Sequence, residues 1–295
     1  MSDDWIAVDW GTSHLRAWAM TGPEIRASAH SEDGMGRLSP EAFEPALLKL
    51  VEPWLKPEGA TPVVACGMVG ARQGWVEAPY RPVPCAPAGG GLIRALVHDE
   101  RLDVRIIPGL SQASPADVMR GEETQIAGFV AANPEYDGIL CLPGTHTKWA
   151  HISAREVVSF RTFMSGELFA LIAGQSVLRH SVTTEGFDGD AFLEAVSESL
   201  SRPESFAARA FSLRAEGLLA KLPADTARAR LSGWLIGMEL AAARPYWLGQ
   251  PVVLIGAPAL SQLYAQALEA QGLTPLTADG DAMTLAGLAA AHLGH

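Results

Sequence analysis

The stretch Trp5-Ile6-Ala7-Val8-Asp9-Trp10-Gly11-Thr12 decides what fold to expect. An apolar run that ends in a carboxylate and a glycine turn is typical of a buried strand followed by a tight turn. The residues from Leu15 to Met20 predict a second strand beyond that turn. The chain therefore opens with a strand-turn-strand unit whose polar groups collect at the turn.

The same theme returns in the second half of the chain. Gly138 to Leu142 is an apolar strand that ends in Pro143-Gly144-Thr145-His146-Thr147-Lys148-Trp149, with a further strand beyond. The α/β order and the two glycine turns suggest a duplicated architecture. Periodicity also predicts strands over Pro62–Cys66, Val104–Ile107 and Val252–Ile255, a loop over Pro79–Gly91, and helices over Pro40–Leu55, Glu122–Ala132, Gly166–Ala243 (broken near Pro203 and Pro223), Ala259–Ala270 and Met283–His292.

Bulk composition narrows the class of protein. A chain of 295 residues with 48% hydrophobic and 19% charged residues is typical of one or two globular α/β domains. The formal charge of −11 argues against nucleic-acid binding, which needs clustered Lys and Arg. No apolar run reaches the roughly 20 residues of a membrane span, and the start Met1-Ser2-Asp3-Asp4 lacks the basic region of a signal peptide. We therefore expect a cytosolic protein.

The three cysteines are widely spaced and contain no C-x-x-C pair. This pattern argues against a disulfide framework and against a zinc site. Cys66, Cys85 and Cys141 are therefore expected to be reduced, with Cys66 and Cys141 packed inside apolar strands.

Both glycine turns have the ingredients of an anion-binding site. Glycine lets backbone N–H groups approach an anion, Thr12 and Ser13 add hydroxyl donors, and Asp9 is suited to a Mg²⁺ hydration shell. The alternative is an ordinary hairpin. The second turn, Gly144 to Lys148, adds a cation, and two such turns after apolar strands favour phosphate binding. His146 as a packed or capping residue, and Lys148 as a solvated strand residue, remain alternatives.

Two acidic residues open the helix predicted at Glu122. Glu122 and Glu123 suit the positive end of a helix, and this alone explains them structurally. The functional alternative makes one of them the base that takes a proton from a sugar hydroxyl. Adjacent helical residues point about 100° apart, so at most one is expected to face a ligand.

Five segments together resemble the 2-dehydro-3-deoxygalactonokinase family of the actin-like ATPase superfamily. They are Asp9–Thr12, Gly67–Gly70, Arg120–Gln125, Pro143–Trp149 and Phe160–Leu168, and the resemblance runs from Trp5 to about Leu288. It implies two ribonuclease-H-like α/β domains that close over ATP and a sugar in a central cleft. The implied sugar-binding domain spans residues 1–132 with residues 283–295 packing back on it, and the nucleotide-binding domain spans residues 133–282.

The resemblance implies Mg²⁺-assisted transfer of the γ-phosphoryl group of ATP to the 6-hydroxyl of 2-dehydro-3-deoxy-D-galactonate, a step in galactonate catabolism. It favours Glu122 as the base, with Glu123 as runner-up, and Asp9 as the metal ligand or a third candidate base. At the adenosine turn, many superfamily members have a second glycine where this chain has Ala257. The implied phosphate and nucleotide contacts are Gly11, Thr12, Ser13, Gly144, Thr145, His146, Thr147, Lys148, Gly256 and Ala257.

The implied acceptor carries a carboxylate, so a guanidinium is expected in its pocket. Arg16, Arg72 and Arg161 lie in or beside the matched segments, and the alternative for each is a surface ion pair. Glu167 is expected either to bind a sugar hydroxyl or to cap a helix. The other expected acceptor-side residues are Gly67, Met68, Gly70, Trp75 and Glu123.

Two other functions compete with this assignment. One is a kinase for another sugar or sugar acid, including the epimeric 2-dehydro-3-deoxy-D-gluconate, and the other is an ATP-binding switch without an acceptor. Kinases that double as repressors carry an N-terminal DNA-binding domain, for which the turn at Asp9 is expected to leave no room. The sequence does not separate the two epimers, and a homodimer is the expected oligomeric state.

Overall fold

The computed structural model describes residues 4–88, 90–183 and 185–294, so Met1–Asp3 and the last residue of the predicted closing segment lie outside the described residues. The chain divides into two compact units. The first comprises Met1–Asp137, Ile152–Phe160 and Gly280–His295, and the second comprises Gly138–His151 and Arg161–Asp279. Because the chain crosses between the units several times, no single cut separates them.

Groups of strands and groups of helices follow one another along the chain, and strands and helices alternate only from β13 onward. The strands are β1 Asp4–Trp10, β2 Leu15–Thr21, β3 Glu24–Ser31, β4 Thr61–Gly67, β5 Arg81–Pro82, β6 Ile93–Arg94, β7 Leu102–Ile106, β8 Leu110–Ala113, β9 Ala116–Met119, β10 Gly138–Leu142, β11 Thr147–Ser153, β12 Glu156–Phe163, β13 Val252–Gly256 and β14 Leu276–Asp279. The helices are α1 Phe43–Val51, α2 Glu122–Ala132, α3 Ser165–Gln175, α4 Gly189–Ser201, α5 Phe206–Leu219, α6 Ala224–Ala242, α7 Arg244–Trp247, α8 Pro258–Glu269 and α9 Gly280–Leu293.

The first unit is built on a six-stranded sheet with the order β3-β2-β1-β4-β7-β6. β1 pairs antiparallel with β2 and parallel with β4, and β4 pairs parallel with β7. Ile6 and Val8 pack with Phe43 of α1, whereas Trp5 and Ala7 pack on the α9 side. Because both faces of β1 are buried, its central residues from Trp5 to Val8 are all apolar, as the sequence predicted.

Helix α9 returns to the first unit and packs closely against α2. A Cβ at Gly287 of α9 would overlap the carbonyl oxygen of Thr124, and one at Gly128 of α2 would overlap that of Met283. Gln125 also donates from its side-chain amide to the Gly280 carbonyl oxygen at 3.3 Å. Glycine therefore sets the distance between the two helices.

The second unit contains the carboxyl-terminal parallel strands and a layer of helices. Its strands belong to a sheet with the order β12-β11-β10-β13-β14, in which β10 pairs parallel with β13 and β13 with β14. Trp149, Phe192, Leu240 and Leu254 lie in its core. Among the described residues, no helix is long and apolar enough to cross a bilayer.

The structure confirms the predicted strand-turn-strand units and corrects several details. The helix predicted over Pro40–Leu55 is α-helical only over Phe43–Val51, because Pro53 lies in a 3₁₀ turn that ends it. The predicted loop over Pro79–Gly91 contains the short strand β5. Strands β3 and β14 were not predicted. Both lie at a sheet edge, where most of their residues are exposed or half-buried and give no apolar run in the sequence.

The close packing of α2 on α9 predicts the effect of adding one methyl group. Gly287→Ala should lower the free energy of unfolding by about 2–4 kcal/mol, because the new Cβ overlaps backbone that cannot move away. Gly174→Ala is the matched control, since Gly174 is an exposed helical glycine at which an added Cβ would have no atom within 4 Å. Urea unfolding should show a change below about 1 kcal/mol for the control. Equal, small effects in both variants would contradict the packing.

Candidate functional site

The carboxylate at the end of β1 is held by an arginine on the neighbouring strand. Arg16 donates from Nη2 to Asp9 Oδ2 at 2.5 Å and from Nη1 to Asp281 Oδ1 at 2.6 Å. Asp9 and Arg16 are direct partners in the β1–β2 register, so the strand pairing itself sets this contact. Arg16, which was expected to bind the carboxylate of the acceptor, is thus engaged by two carboxylates of the chain itself.

The segment that follows β3 packs against the first glycine turn and hydrogen-bonds to it. The Gly11 N–H donates to the His14 carbonyl oxygen at 3.0 Å, and the Gly36 N–H donates to that of Thr12 at 2.9 Å. A Cβ at Gly34 would overlap the backbone of Ser13. The Gly11 amide is thus used within the turn, while the side chains of Thr12 and Ser13 are exposed.

Two glycines bring the start of α2 to the ends of β1 and β4. Gly67 has φ +89°, and a Cβ there would lie 2.7 Å from the Trp10 carbonyl oxygen and 3.4 Å from Asp9 Oδ1. Gly121 has φ +106°, and its Cβ would lie 3.5 Å from the Cα of Gly67. Positive φ suits glycine alone at low cost. Asp9 and the acidic helix start therefore lie at one edge of the first unit's sheet.

The two glutamates at this helix start differ in accessibility. Glu122 is half-buried, and its Oε2 accepts the Arg120 N–H at 3.1 Å. Glu123 is 0% exposed, and its Oε2 accepts the Gly121 N–H at 2.7 Å. Burial excludes Glu123 from contact with a dissolved substrate, which corrects its expected acceptor-side role. Of the two glutamates, Glu122 is therefore the more accessible.

Burial also changes the chemistry of Glu123. Desolvation, followed by the charge of Glu122, raises the pKa of Glu123 to about 8, against hydrogen bonds to backbone N–H groups that lower it. The carboxyl group is consequently neutral over much of the pH range in which an exposed glutamate is charged. Glu123 shapes the start of α2 from inside the unit.

Other expected acceptor-side residues lie on the turn that follows β4. Trp75 stacks on Phe43 and contacts the edge of Trp10, so its ring belongs mainly to the core. Met68 is half-buried, Gly70 is buried, and Arg72 is exposed. Arg72 thus provides an accessible guanidinium on this turn of the first unit.

Sequence reasoning missed the role of Arg120, although the residue opens a matched segment. Its Nη2 donates to the Ala78 carbonyl oxygen at 2.7 Å, and its guanidinium stacks 4.4 Å from the centre of the Tyr80 ring. A Cβ at Gly70 would lie 2.8 Å from Arg120 Nη1. Arg120 therefore fastens the loop at Ala78 to the start of α2.

The second glycine turn is braced by the start of α3. The Glu167 N–H donates to the Thr145 carbonyl oxygen at 2.9 Å, and His146 Nε2 lies 2.7 Å from Glu167 Oε2. A Cβ at Gly166 would overlap the carbonyl oxygen of Gly144. Glu167 therefore contacts the second turn, within the second unit. Arg161 also lies in the second unit and is exposed.

The last two residues of this turn point inward. Thr147 is 0% exposed, and its hydroxyl lies 2.9 Å from the Tyr264 hydroxyl. Lys148 is 4% exposed, which contradicts the alternative that it is a solvated strand residue. The Thr147 hydroxyl is therefore corrected from a phosphate donor to an interior contact, and the accessible side chains of the turn are Thr145 and His146.

A cavity of about 810 Å³ opens beside the second turn, entirely within the second unit. Its size and apolar character suit a small organic ligand with one polar end. Gly256 and Ala257 directly precede α8, which lines the cavity, but are not themselves lining residues. The lining residues are Gly144, Thr145, Ser165, Gly166, Phe169, Gly186, Phe187, Arg228, Ser232, Leu235, Ile236, Ala259, Leu260, Leu263 and Tyr264.

Most of these lining residues were missed by sequence reasoning. Phe169, Arg228 and Leu263 lie on three different helices whose sequences gave only an amphipathic pattern. Arg228 donates to the Thr183 carbonyl oxygen at 3.0 Å and stacks 5.5 Å from the centre of the Phe169 ring. Among the lining residues, those of the second glycine turn were the ones that a sequence motif had indicated.

Asp9 is the candidate protein ligand for Mg²⁺. Within residues 4–88, 90–183 and 185–294, no group of three His, Cys, Asp or Glu side chains is arranged to hold a metal ion. Asp9 offers a carboxylate at the strand end, with Oδ2 already accepting from Arg16. Mg²⁺ commonly takes one or two carboxylates together with waters and substrate phosphates. The donor set therefore fits an ion that arrives with a phosphate ligand.

Comparison with known proteins identifies relatives over nearly the whole chain. A model of the 2-keto-3-deoxy-galactonokinase family matches residues 9–291. The 2-dehydro-3-deoxygalactonokinase of Escherichia coli (strain K12) is 35% identical over 291 residues, which cover 98% of this chain and 97% of the relative. A crystal structure from Sinorhizobium meliloti under the same enzyme name is 40% identical, covers 97% of both chains and has a TM-score of 0.89.

More distant structures share the fold alone. The activator of the 2-hydroxyisocaproyl-CoA dehydratase from Clostridium difficile, solved with bound ADPNP, is 13% identical, with a TM-score of 0.55. The match covers 98% of this chain and 94% of that one. The chain thus has the two-domain α/β fold of the actin-like ATPases, as the sequence predicted.

The raised pKa of Glu123 predicts how stability depends on pH. Its pKa is about 8 in the folded protein against an ordinary 4.5, so the folded state binds the proton more tightly. This group should therefore cost stability progressively as the pH rises from about 5 to about 8. Glu123→Gln, which mimics the neutral acid, should remove about 1–4 kcal/mol of that loss. Urea unfolding at about pH 5 and about pH 8 measures this difference in the free energy of unfolding. Equal losses of stability in the wild type and in Glu123→Gln would contradict the burial of this carboxyl.

Proposed function

The chain belongs to the 2-keto-3-deoxy-galactonokinase family, and on that premise we propose that it transfers the γ-phosphoryl group of ATP to the 6-hydroxyl of 2-dehydro-3-deoxy-D-galactonate. It is accordingly a carbohydrate kinase that phosphorylates a keto-deoxy sugar acid with ATP as donor. The structural observation that supports this proposal is the cavity in the second unit, which is lined in part by the Gly144–Thr145 turn.

The nucleotide would occupy that cavity. Apolar side chains such as Phe169 and Leu263 suit a purine, while a glycine turn suits phosphate oxygens through its backbone N–H groups. Thr145 and His146 are exposed on this turn, and Glu167 orients His146. Gly256 and Ala257, which directly precede α8, are also proposed to contact the nucleotide.

The first unit is assigned the metal and the reacting hydroxyl. Thr12 and Ser13 would offer donors to phosphate, and Asp9 would help to hold Mg²⁺. When bound, Mg²⁺ neutralises charge on phosphate oxygens. Arg16 holds the Asp9 carboxylate in position by donating a hydrogen bond to its Oδ2.

Glu122 is assigned the proton transfer. It is half-buried at the start of α2, at the same sheet edge as Asp9, whereas its neighbour Glu123 is enclosed. A carboxylate in this position can accept the proton of the attacking hydroxyl as the hydroxyl oxygen bonds to the γ-phosphorus and the bond from that phosphorus to the ADP oxygen breaks. Gly67, Met68 and Gly70 would shape the acceptor side of that edge.

The acceptor carboxylate still needs a cationic partner. Arg16 is engaged by Asp9 and Asp281, so the proposal keeps Arg72 and Arg161, which are both exposed. Arg72 follows β4 in the first unit, on the turn next to Gly70, and is the first choice. Cytosolic location and a homodimer remain predictions from the sequence.

The acceptor assignment predicts a selective ATP-consumption assay. The purified chain with Mg²⁺-ATP should consume ATP with the galactonate-derived keto-deoxy acid, and more slowly or not at all with its gluconate-derived epimer. Glucose and N-acetylhexosamines should give no turnover, because they lack the carboxylate. Turnover with a neutral hexose alone would select a different sugar kinase. Slow hydrolysis that no acceptor stimulates would select an ATP switch.

The role of Glu122 predicts a specific kinetic defect. Glu122→Gln keeps an acceptor for the Arg120 N–H but cannot take a proton, so kcat should fall by about 10²–10⁴-fold. The KM for ATP should stay nearly unchanged, because Glu122 does not contact the nucleotide in this proposal. Glu135→Gln, an exposed change just beyond the same helix, is the control and should behave as wild type. Near-normal kcat in Glu122→Gln would remove this residue from the mechanism.

A further inference from the structure

A second buried acid lies in the core of the second unit and has no role in the reaction described above. Glu239, on α6, is 2% exposed. Its carboxylate accepts three hydrogen bonds, from Trp149 Nε1 at 2.8 Å, from Ser165 Oγ at 2.5 Å and from the Tyr264 hydroxyl at 2.9 Å. All three donors are neutral groups on three other elements, namely β11, α3 and α8.

Each of these donors leads to the second glycine turn or to the cavity beside it. Ser165 begins α3, and the Glu167 N–H two residues later donates to the Thr145 carbonyl oxygen. Tyr264 bonds to the Thr147 hydroxyl at 2.9 Å. Ser165 and Tyr264 also line the cavity. One carboxylate is therefore linked to the start of α3 through Ser165 and to the Thr147 hydroxyl through Tyr264.

The direction of the hydrogen bonds follows from the carboxylate. An ionised carboxylate only accepts, so the Tyr264 hydroxyl must donate its one hydrogen to Glu239. The Thr147 hydroxyl then has to donate to the Tyr264 oxygen. When Glu239 is ionised, its charge thus orients a chain of hydroxyls that ends at the turn, and bonds of this kind are roughly twice as strong as neutral ones.

A buried acid without a cation among these partners is costly to the fold. Desolvation raises the pKa of Glu239 to about 7, although the bonds from Ser165, Trp149 and Tyr264 oppose the shift. Apolar residues of similar volume are often at least as stabilising as a buried charge. An acid at this position therefore points to a requirement other than stability.

We propose that Glu239 is a positioning residue for nucleotide binding, which holds the Gly144–Thr147 turn against α3 and α8 through Ser165, Tyr264 and Trp149. The proposal rests on the assignment of the nucleotide to the cavity beside that turn. Glu239 itself is enclosed and acts only through its three partners. Its loss should weaken nucleotide affinity and leave the acceptor side of the first unit unchanged.

Glu239→Gln tests this with little change in volume. Trp149 can only donate, so the glutamine oxygen must face the indole and its NH₂ group must face the two hydroxyls. Tyr264 then has to accept, which reverses its bond to Thr147 and removes the charge assistance. The Kd for ADP, measured by isothermal titration calorimetry, should rise about tenfold, equivalent to about 1.4 kcal/mol. The binding stoichiometry and the KM for the keto-deoxy acid should change less than twofold.

A second variant keeps the test decisive if Glu239→Gln does not fold. Thr147→Val leaves the carboxylate in place and cuts the chain of hydroxyls at the turn, so it should also raise the Kd for ADP several-fold. Ser199→Ala on α4, a buried hydroxyl packed beside α6 at Gly237, is the matched control and should leave the Kd unchanged.

The outcomes separate this proposal from the one on which it rests. Wild-type protein that binds no ADP would overturn the nucleotide assignment itself. Wild-type binding with an unchanged Kd in the folded Glu239→Gln protein, or in Thr147→Val, would overturn the positioning role alone. A lower stoichiometry at unchanged Kd would mark a merely structural residue and would also overturn it.

Discussion

The carboxyl ends of two parallel strand pairs are the constraint on which the rest of the structure depends. In the first unit β1 pairs with β4, and in the second β10 pairs with β13. Parallel strands bring their carboxyl ends to one sheet edge, where turns can approach without burying their own polar groups. Asp9, Gly67 and Gly121 meet at one such edge, and in the other unit Gly144 follows β10 and Gly256 is the last residue of β13.

Each unit also encloses one glutamate close to its candidate site. Glu123 supports the start of α2 from inside, and Glu239 connects three elements around the second turn. Burial raises the pKa of both carboxyl groups. Sites that need a fixed backbone often contain such costly groups, because a satisfied polar network specifies one arrangement better than apolar packing does.

The sequence predicted what depends on local pattern. Strands buried on both faces, such as β1 and β10, read as continuous apolar runs, and α2 was bounded correctly because it starts after Gly121 and ends before Asn133. Long-range contacts were beyond such reasoning. Arg16 was expected at the acceptor, but it pairs with Asp281, which is 265 residues away. The cavity was missed because periodicity gives a helix's apolar face but not which part of that face stays unfilled.

The central claim is that the second unit's turn and cavity bind the nucleotide. Hydrogen–deuterium exchange followed by mass spectrometry, with and without ADP, tests it most directly because it needs neither an acceptor nor a variant. The account predicts slower exchange in peptides that cover Gly144–Lys148, Ser165–Phe169 and the start of α8. Unchanged exchange in all three segments, with protection elsewhere in the chain, would contradict it.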